Sequence, residues 1–227
     1  MVFEHVLGQI KAIDEQGYMH IVASVPNLDR AIHREYSKVE VILPDGRTIS
    51  AEQRRKIYAL IGEVAEYCEG FRNAETVEET KQSLKWDFIL SRMEAQERRL
   101  FSLSDCDMTT ASSFISYLID FIIRNDIPTA IPLIEQAEDI GQYIYSCLAN
   151  KKCCVCGQKA DLHHCEGSRI GMGADRDEVH HLGRKVLALC RKHHTECHND
   201  EAGFVAKYHL EPIKMDERLC KIYKVRK

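Results

Sequence analysis

No apolar stretch of this sequence approaches the roughly 18–20 residues that a membrane-spanning helix requires, so a spanning helix is excluded. The opening residues, MVFEHVLGQIKAIDEQG, lack a basic leading segment and a continuous apolar core, so they are not expected to form a secretory signal peptide. Internal repeats and low-complexity linkers are also missing, so any domains are expected to pack closely. Nor is there an extreme of charge. With 31 Lys+Arg against 35 Asp+Glu, 29% charged and 44% hydrophobic residues, the composition is that of an ordinary globular chain. Its 227 residues suffice for one large domain or two modest ones.

The chain is rich in cysteine and histidine, and both are unevenly placed. Seven of the ten cysteines lie from Cys153 onward, interleaved with eight of the eleven histidines. A disulfide framework would not need histidine at ligand spacing. The pattern therefore reads as metal binding in an intracellular chain, and a cytoplasmic location is expected. Charge follows the same division. Residues 151–227 carry 16 Lys+Arg against 11 Asp+Glu, whereas residues 1–150 carry 15 against 24. A basic, ligand-rich tail on an acidic body predicts two modules, 1–150 and 151–227, with the phosphate-facing one at the C-terminus.

The body reads as α+β. VLGQIKAI and MHIVASV alternate as strands around Asp14-Glu15-Gln16-Gly17, and KVEVIL predicts a third strand before a turn at Pro44-Asp45-Gly46. Ser50 with Gln53 has capping-box spacing and opens a helix that runs to Gly70. A second helix is expected from Thr76 to Met93. A third, carrying FISYLIDFIIR, follows the Asp107/Thr109 region and is apolar enough for a core element. A last helix, IEQAEDIGQYIYSCLA, follows Pro128 and Pro132 and ends at the polar joint Asn150-Lys151-Lys152. Trp86, Phe114, Tyr117 and Phe121 all read as core at their helical positions.

In the tail, Cys153 and Cys156 form C-x-x-C, His163-His164 follow, and Cys190, His193, His194 and His198 form C-x-x-H-H-x-x-x-H. Two knuckles, Cys153/Cys156 and Cys190/His193, make a Cys3His set suited to tetrahedral structural Zn2+. His163, His194 and His198 remain for a second cation with open positions, the arrangement of metal-assisted hydrolysis. His194 and His198 are four apart and share a helix face, whereas the adjacent strand residues His163 and His164 point to opposite faces. One of that pair can bind metal while the other addresses water, because a neutral imidazole is a competent base at cellular pH. Cys154, Cys165, Cys197 and Cys220 read as small core residues, although Cys154 or Cys197 could replace a named ligand.

C-V-C-G, the L-H-H strand and L-C-R-K-H-H-T-E-C-H together resemble the zinc-knuckle branch of the HNH nucleases, over roughly residues 150–210. The resemblance implies a small ββα-metal domain in which His164 is the general base and His163, His194 and His198 hold the catalytic cation. Mg2+, Mn2+ or Ni2+ would suit those ligands. The family's middle Asn falls at Lys185 here, and no Asn lies between His164 and His194. His181 is the expected substitute for orienting the base, with His180 the neighbouring alternative. Arg169, Arg184, Lys185, Arg191 and Lys192 make the module basic and are candidate DNA-backbone contacts.

The run Gln53 to Gly62, with the R-T-I-S before it, resembles the Orf recombination mediators of lambdoid phages. That likeness implies binding of single-stranded DNA and of a single-strand-binding protein, a homodimer, and a phage-type recombination setting. Arg54, Arg55 and Lys56 are then further candidate DNA contacts, against a reading of the same residues as a solvated helix face. The expected function is DNA endonuclease, with single-stranded or branched DNA as substrate. Two alternatives remain open: a non-enzymatic single-strand-DNA-binding mediator with a structural zinc tail, and a protein adaptor.

Overall fold

The computed structural model describes residues 6, 8–25, 27–34, 41, 46–93, 100–165, 167–168 and 179–227, with nothing given for the side chain of residue 93. The chain divides into two compact units, Met1–Pro44 and Asp45–Lys227. Helices and small sheets occur together, so the expected α+β class holds. The joint at residues 150–152 lies inside the second unit rather than between the two. No helix among the described residues is long and apolar enough to cross a membrane.

The first unit contains β1 (Gly8–Ile13) and β2 (Met19–Ala23), paired antiparallel with an irregularity between Ile10 and Ala12. Their turn is the expected one: Asp14 accepts from the backbone N–H of Gln16 and Tyr18, and Gly17 supplies a φ of 88°. A short helix, α1 (Leu28–Arg34), follows, which the sequence reading passed over. The third strand expected at KVEVIL, and the turn after it, lie outside the described residues apart from Val41 and Gly46.

The second unit opens with α2 (Ala51–Glu69), and its start is the predicted capping box. The Ser50 side chain accepts from Gln53 N–H at 3.0 Å, and the Gln53 side chain accepts from Ser50 N–H at 3.1 Å. Gly70 ends the helix at φ 77°, a left-handed position where a side chain would be strained. Next come α3 (Ala74–Met93), started by reciprocal Asn73–Thr76 bonds, and α4 (Met108–Arg124), capped by Asp107. The single helix expected after Pro132 is instead two, α5 (Leu133–Gln136) and α6 (Ile140–Ala149). Ala137 turns extended, and the Asp139 carboxylate accepts from Gln142 N–H at 2.8 Å, which restarts the helix.

Helices α2, α3, α4 and α6 pack around a core in which Ile57, Leu60, Phe114, Leu118, Ile122 and Ile144 are fully buried. Phe88, Phe101, Phe114 and Tyr117 form an edge-to-face and tilted ring cluster at its heart. Phe114→Ala is expected to cost about 3–5 kcal/mol of stability. Denaturant unfolding checks it, and a loss below about 1 kcal/mol would mean the ring cluster is not a packed core. Trp86 departs from the reading as core. It is 55% exposed on α3.

After α6 the chain builds β3 (Asp161–His164), β4 (Lys185–Leu189), α7 (Arg191–Asn199), α8 (Glu201–Lys207), β5 (Ile213–Lys214) and α9 (Glu217–Tyr223). The sheet order is β3-β4-β5, antiparallel throughout. Val186, Leu187, Ala188 and Leu189 of β4 are wholly buried, and the strand contacts both α6 and α7. One apolar core therefore continues from α2 to α9.

Candidate active site

Cys153, Cys156, Cys190 and His193 converge. The first two sit in a tight knuckle: Cys153 N–H donates to Gln158 C=O and Gly157 N–H returns to Cys153 C=O, with Gly157 at φ 69°. Cys154 N–H donates to Ala188 C=O at 3.0 Å and so pins the knuckle to β4. The other two ligands come from the start of α7. Cys153 Sγ lies 3.4 Å and Cys190 Sγ 3.2 Å from His193 Nδ1, and the Sγ atoms of Cys156 and Cys190 are 3.6 Å apart. A tetrahedron with Zn–S near 2.3 Å and Zn–N near 2.0–2.1 Å has edges of about 3.5–3.8 Å, so the four donors fit zinc. The electrostatics of Cys190 and His193 agree, whereas those of Cys156 run the other way. Burial pushes the Cys190 thiol up, but the His193 and Lys192 backbone N–H groups and the neighbouring thiols outweigh it and hold Cys190 below the usual thiol range. Burial also lowers His193, favouring the neutral imidazole that a metal takes. Burial pushes Cys156 up to about 12.

His163, His194 and His198 form a second cluster whose ligand nitrogens lie within 4.8 Å of one another. Their ring centroids are 4.6–4.9 Å apart and the rings meet edge-on. The strand places His163 opposite Leu187, where it is 1% exposed and forms the floor, whereas His194 is half-buried and His198 exposed. Three imidazoles converging from a strand and one helix face fit a divalent cation with positions open to solvent. The i, i+4 spacing on α7 and the alternation on β3 thus have the geometric consequence expected of them.

His164, at the end of β3, turns the other way. Its Nε2 lies 3.0 Å from Nδ1 of His181, which is 1% exposed. The turn carrying His181 is fixed on several sides. His181 N–H donates to Arg226 C=O, Arg184 N–H to His181 C=O and Gly183 N–H to Met215 C=O. The Arg184 guanidinium donates to the carbonyls of His180 (2.6 Å) and Ser168 (2.9 Å), and His180 Nδ1 contacts the Lys227 carbonyl. His180 therefore faces the chain's last residue, whereas His181 faces His164.

The basic candidates are scattered. Arg191 and Lys192 are exposed at the β4–α7 corner, with Arg191 only 4.0 Å from Asp161, whereas Lys185 is exposed at the other end of β4, opposite Lys214. Arg184 is half-buried and holds the loop as described. Arg169 lies outside the described residues. Arg54, Arg55 and Lys56 sit on α2, which contributes no member of the histidine cluster; Arg54 donates to Ser104 C=O and Lys56 pairs with Glu138 at 3.5 Å.

The sequence reading passed over Glu201. With Cys165 it gathers around His163, the three ligand atoms lying within 4.8 Å of one another. Burial, then the Glu201 carboxylate, push the Cys165 thiol up to about 12, so it stays protonated and hydrogen-bonds to Glu201. The only signal in the sequence was a carboxylate three residues beyond the last helix histidine. Cys154, Cys165, Cys197 and Cys220 are buried as expected, and Cys197 Sγ lies 3.3 Å from His163 Nε2.

Comparison with curated proteins and with solved structures gave no match. A family model does match, and it runs through both the helical body and the cysteine- and histidine-rich end rather than covering the motif alone. The chain, over residues 23–226, belongs to the family described as "Putative HNHc nuclease".

Proposed function

We propose that the protein is a metal-dependent DNA endonuclease whose cutting chemistry resides in residues 151–227, a ββα-metal module made of β3, β4 and α7. The observation that carries this reading is the pair of separate ligand sets, Cys153/Cys156/Cys190/His193 and His163/His194/His198, meeting on one helix. A zinc finger that only binds uses four ligands and has no need of the second set. The first set holds structural Zn2+. The second holds a divalent cation, Mg2+, Mn2+ or Ni2+.

A cation held there would supply the positive charge that stabilises the phosphate and leaving oxygen. The remaining work falls to the chain. The 3.0 Å contact between His164 Nε2 and His181 Nδ1 admits either ring as donor; with His164 donating Nε2–H, its Nδ1 lone pair is left to take a proton from water. The water oxygen attacks phosphorus, the bond to the leaving oxygen breaks, and that oxygen is protonated from solvent. His181 holds the base in one tautomer and steadies its imidazolium form. Lys185, Arg191 and Lys192, with Arg169 and Arg184 in the same module, contact the DNA backbone without choosing sequence.

The wider setting rests on the Orf-like residues 53–62. It comprises single-stranded or branched DNA as substrate, Arg54, Arg55 and Lys56 as further contacts, a single-strand-binding protein as partner, a homodimer, and a phage-type recombination system. The cytoplasm suits a chain whose cysteines serve as thiols and ligands. The test is nicking of supercoiled plasmid, and cleavage of single-stranded and branched DNA, with Mg2+, Mn2+, Ni2+ or EDTA. Metal-dependent cutting is expected. Intact single-strand binding without cutting under any metal would favour the non-enzymatic mediator.

A further inference from the structure

Two lysines face each other at the start of β4. Lys185 is the Cα partner of Lys214 in the β4–β5 ladder, and both are exposed. The register is tied from both sides. Met215 N–H donates to Arg184 C=O and Gly183 N–H to Met215 C=O. On the β3 side, Lys185 C=O accepts from Cys165 N–H, and Lys185 N–H donates to Ser168 Oγ. With its backbone committed there, Lys185 meets Lys214 at a non-hydrogen-bonded position, where opposed side chains stand closest. Cβ atoms so placed are about 4.5–5.5 Å apart, and like charges directly opposite destabilise a sheet. Among the described residues neither ammonium has an ion-pair or hydrogen-bond partner, whereas Lys152, Lys207 and Lys227 each reach a carboxylate.

Alternation gives the pair a direction. Cross-strand partners point to the same face of a sheet, and so do residues two apart on one strand. His163 is opposite Leu187, Leu187 is two residues from Lys185, and Lys185 is opposite Lys214. Both lysines therefore leave the sheet on the face that carries His163, about 7 Å along the strand from the His163–Leu187 pair. Helix α7, which brings His194 and His198 to His163, contacts the same two strands. We propose that Lys185 and Lys214 together clasp one backbone phosphate of the DNA, beside the phosphate held at the cation centre. Each ammonium takes one non-bridging oxygen, and the anion cancels the repulsion between them. The pair is a liability in the free protein and an attraction in the complex. Lys185 is among the backbone contacts already proposed; Lys214 is new, and the register makes one site of the two.

This inference rests on DNA being the substrate, as proposed above, and the test separates the two. A labelled duplex is titrated with the zinc-loaded full-length protein across a salt series, without a second cation, so that binding is read with no cutting. The proteins are wild type, Lys185→Gln, Lys214→Gln, the double variant, and Lys221→Gln on the exposed side of α9 as a control for net charge. Each single substitution should weaken binding about 2–5-fold. It should leave the salt slope near wild type, because the other lysine keeps the phosphate. The double variant should lose more than the product of the two. Its slope of log K against log salt should fall by about 0.9, the contribution of one phosphate. With the repulsion relieved, the free variants should melt at or above the wild-type temperature. A slope loss of about 0.9 in each single variant means two separate contacts and overturns the clasp. So does a double variant that binds like wild type, an equal loss in Lys221→Gln, or a lowered melting temperature that accounts for the lost binding. A wild type without affinity for DNA at low salt overturns the DNA reading itself, and this inference with it.

Discussion

His164→Ala is expected to slow DNA cleavage by about 10²–10⁴-fold, the contribution usual for a general base in a hydrolytic step. The loss should fall on kcat and leave KM nearly unchanged, because no DNA contact is assigned to this ring. His164 sits at the open end of β3, half-buried, and its removal leaves the apolar pairing of β3 with β4 in place. Zinc content and melting temperature should therefore stay close to wild type. His181→Ala should cut less deeply, since it removes only the partner at 3.0 Å that orients the base. The measurement is single-turnover cleavage by the folded variants. A His164→Ala protein that cuts at the wild-type rate would remove His164 from the chemistry and return the search to the His163 cluster.

The second large effect follows from zinc. A chelator strong enough to strip the Cys3His set, or Cys153→Ser, should unfold the segment from the knuckle through α7. Zinc sites of this kind contribute on the order of 10 kcal/mol of apparent folding free energy. The structural reason is specific. Helix α7 has nine residues, too few to persist alone, and only His193 and Cys197 of it are buried. Its first turn is held by Cys190 and His193, and the knuckle touches β4 through the Cys154–Ala188 bond. The core runs without interruption from β4 into α6, so the helical body should lose stability as well, though not its fold. Hydrogen exchange with and without chelator reads both. Full protection of β3, β4 and α7 in the stripped protein would show that the thiols are not holding a structural metal.

Much of this was legible in advance, and the reasons differ from element to element. The α2 start could be read because a capping box is a local device: Ser50 and Gln53 satisfy each other's backbone within four residues. Both ligand sets could be read because metal ligands are constrained by spacing, two per knuckle and four apart on a helix. The break between α5 and α6 was harder, because Asp139 as an N-cap looks the same in sequence as any helical aspartate. Trp86 was misplaced for a similar reason. Apolar periodicity in α3 marks a stripe but does not say which flank of the stripe stays wet. Glu201 carried only its place three residues beyond His198 as a signal, because its approach to His163 depends on the fold bringing the start of α8 to β3, a long-range event. His181 was anticipated only through a missing asparagine. Its contact with His164 depends on a turn tied down by Gly183 and the carbonyl of Arg226, residues that mean nothing singly.

His193 and His194 are neighbours in sequence yet belong to different clusters. Successive side chains on a helix diverge by roughly 100°, so one short helix faces two candidate metal sites at once. An ion held by the thiols would therefore set the azimuth of α7, and with it the bearing of His194 and His198. The two centres share no ligand, but they share an axle. An ion of larger radius between the cysteines would turn that axle and re-aim the imidazoles, so what fills the first centre is a setting of the second.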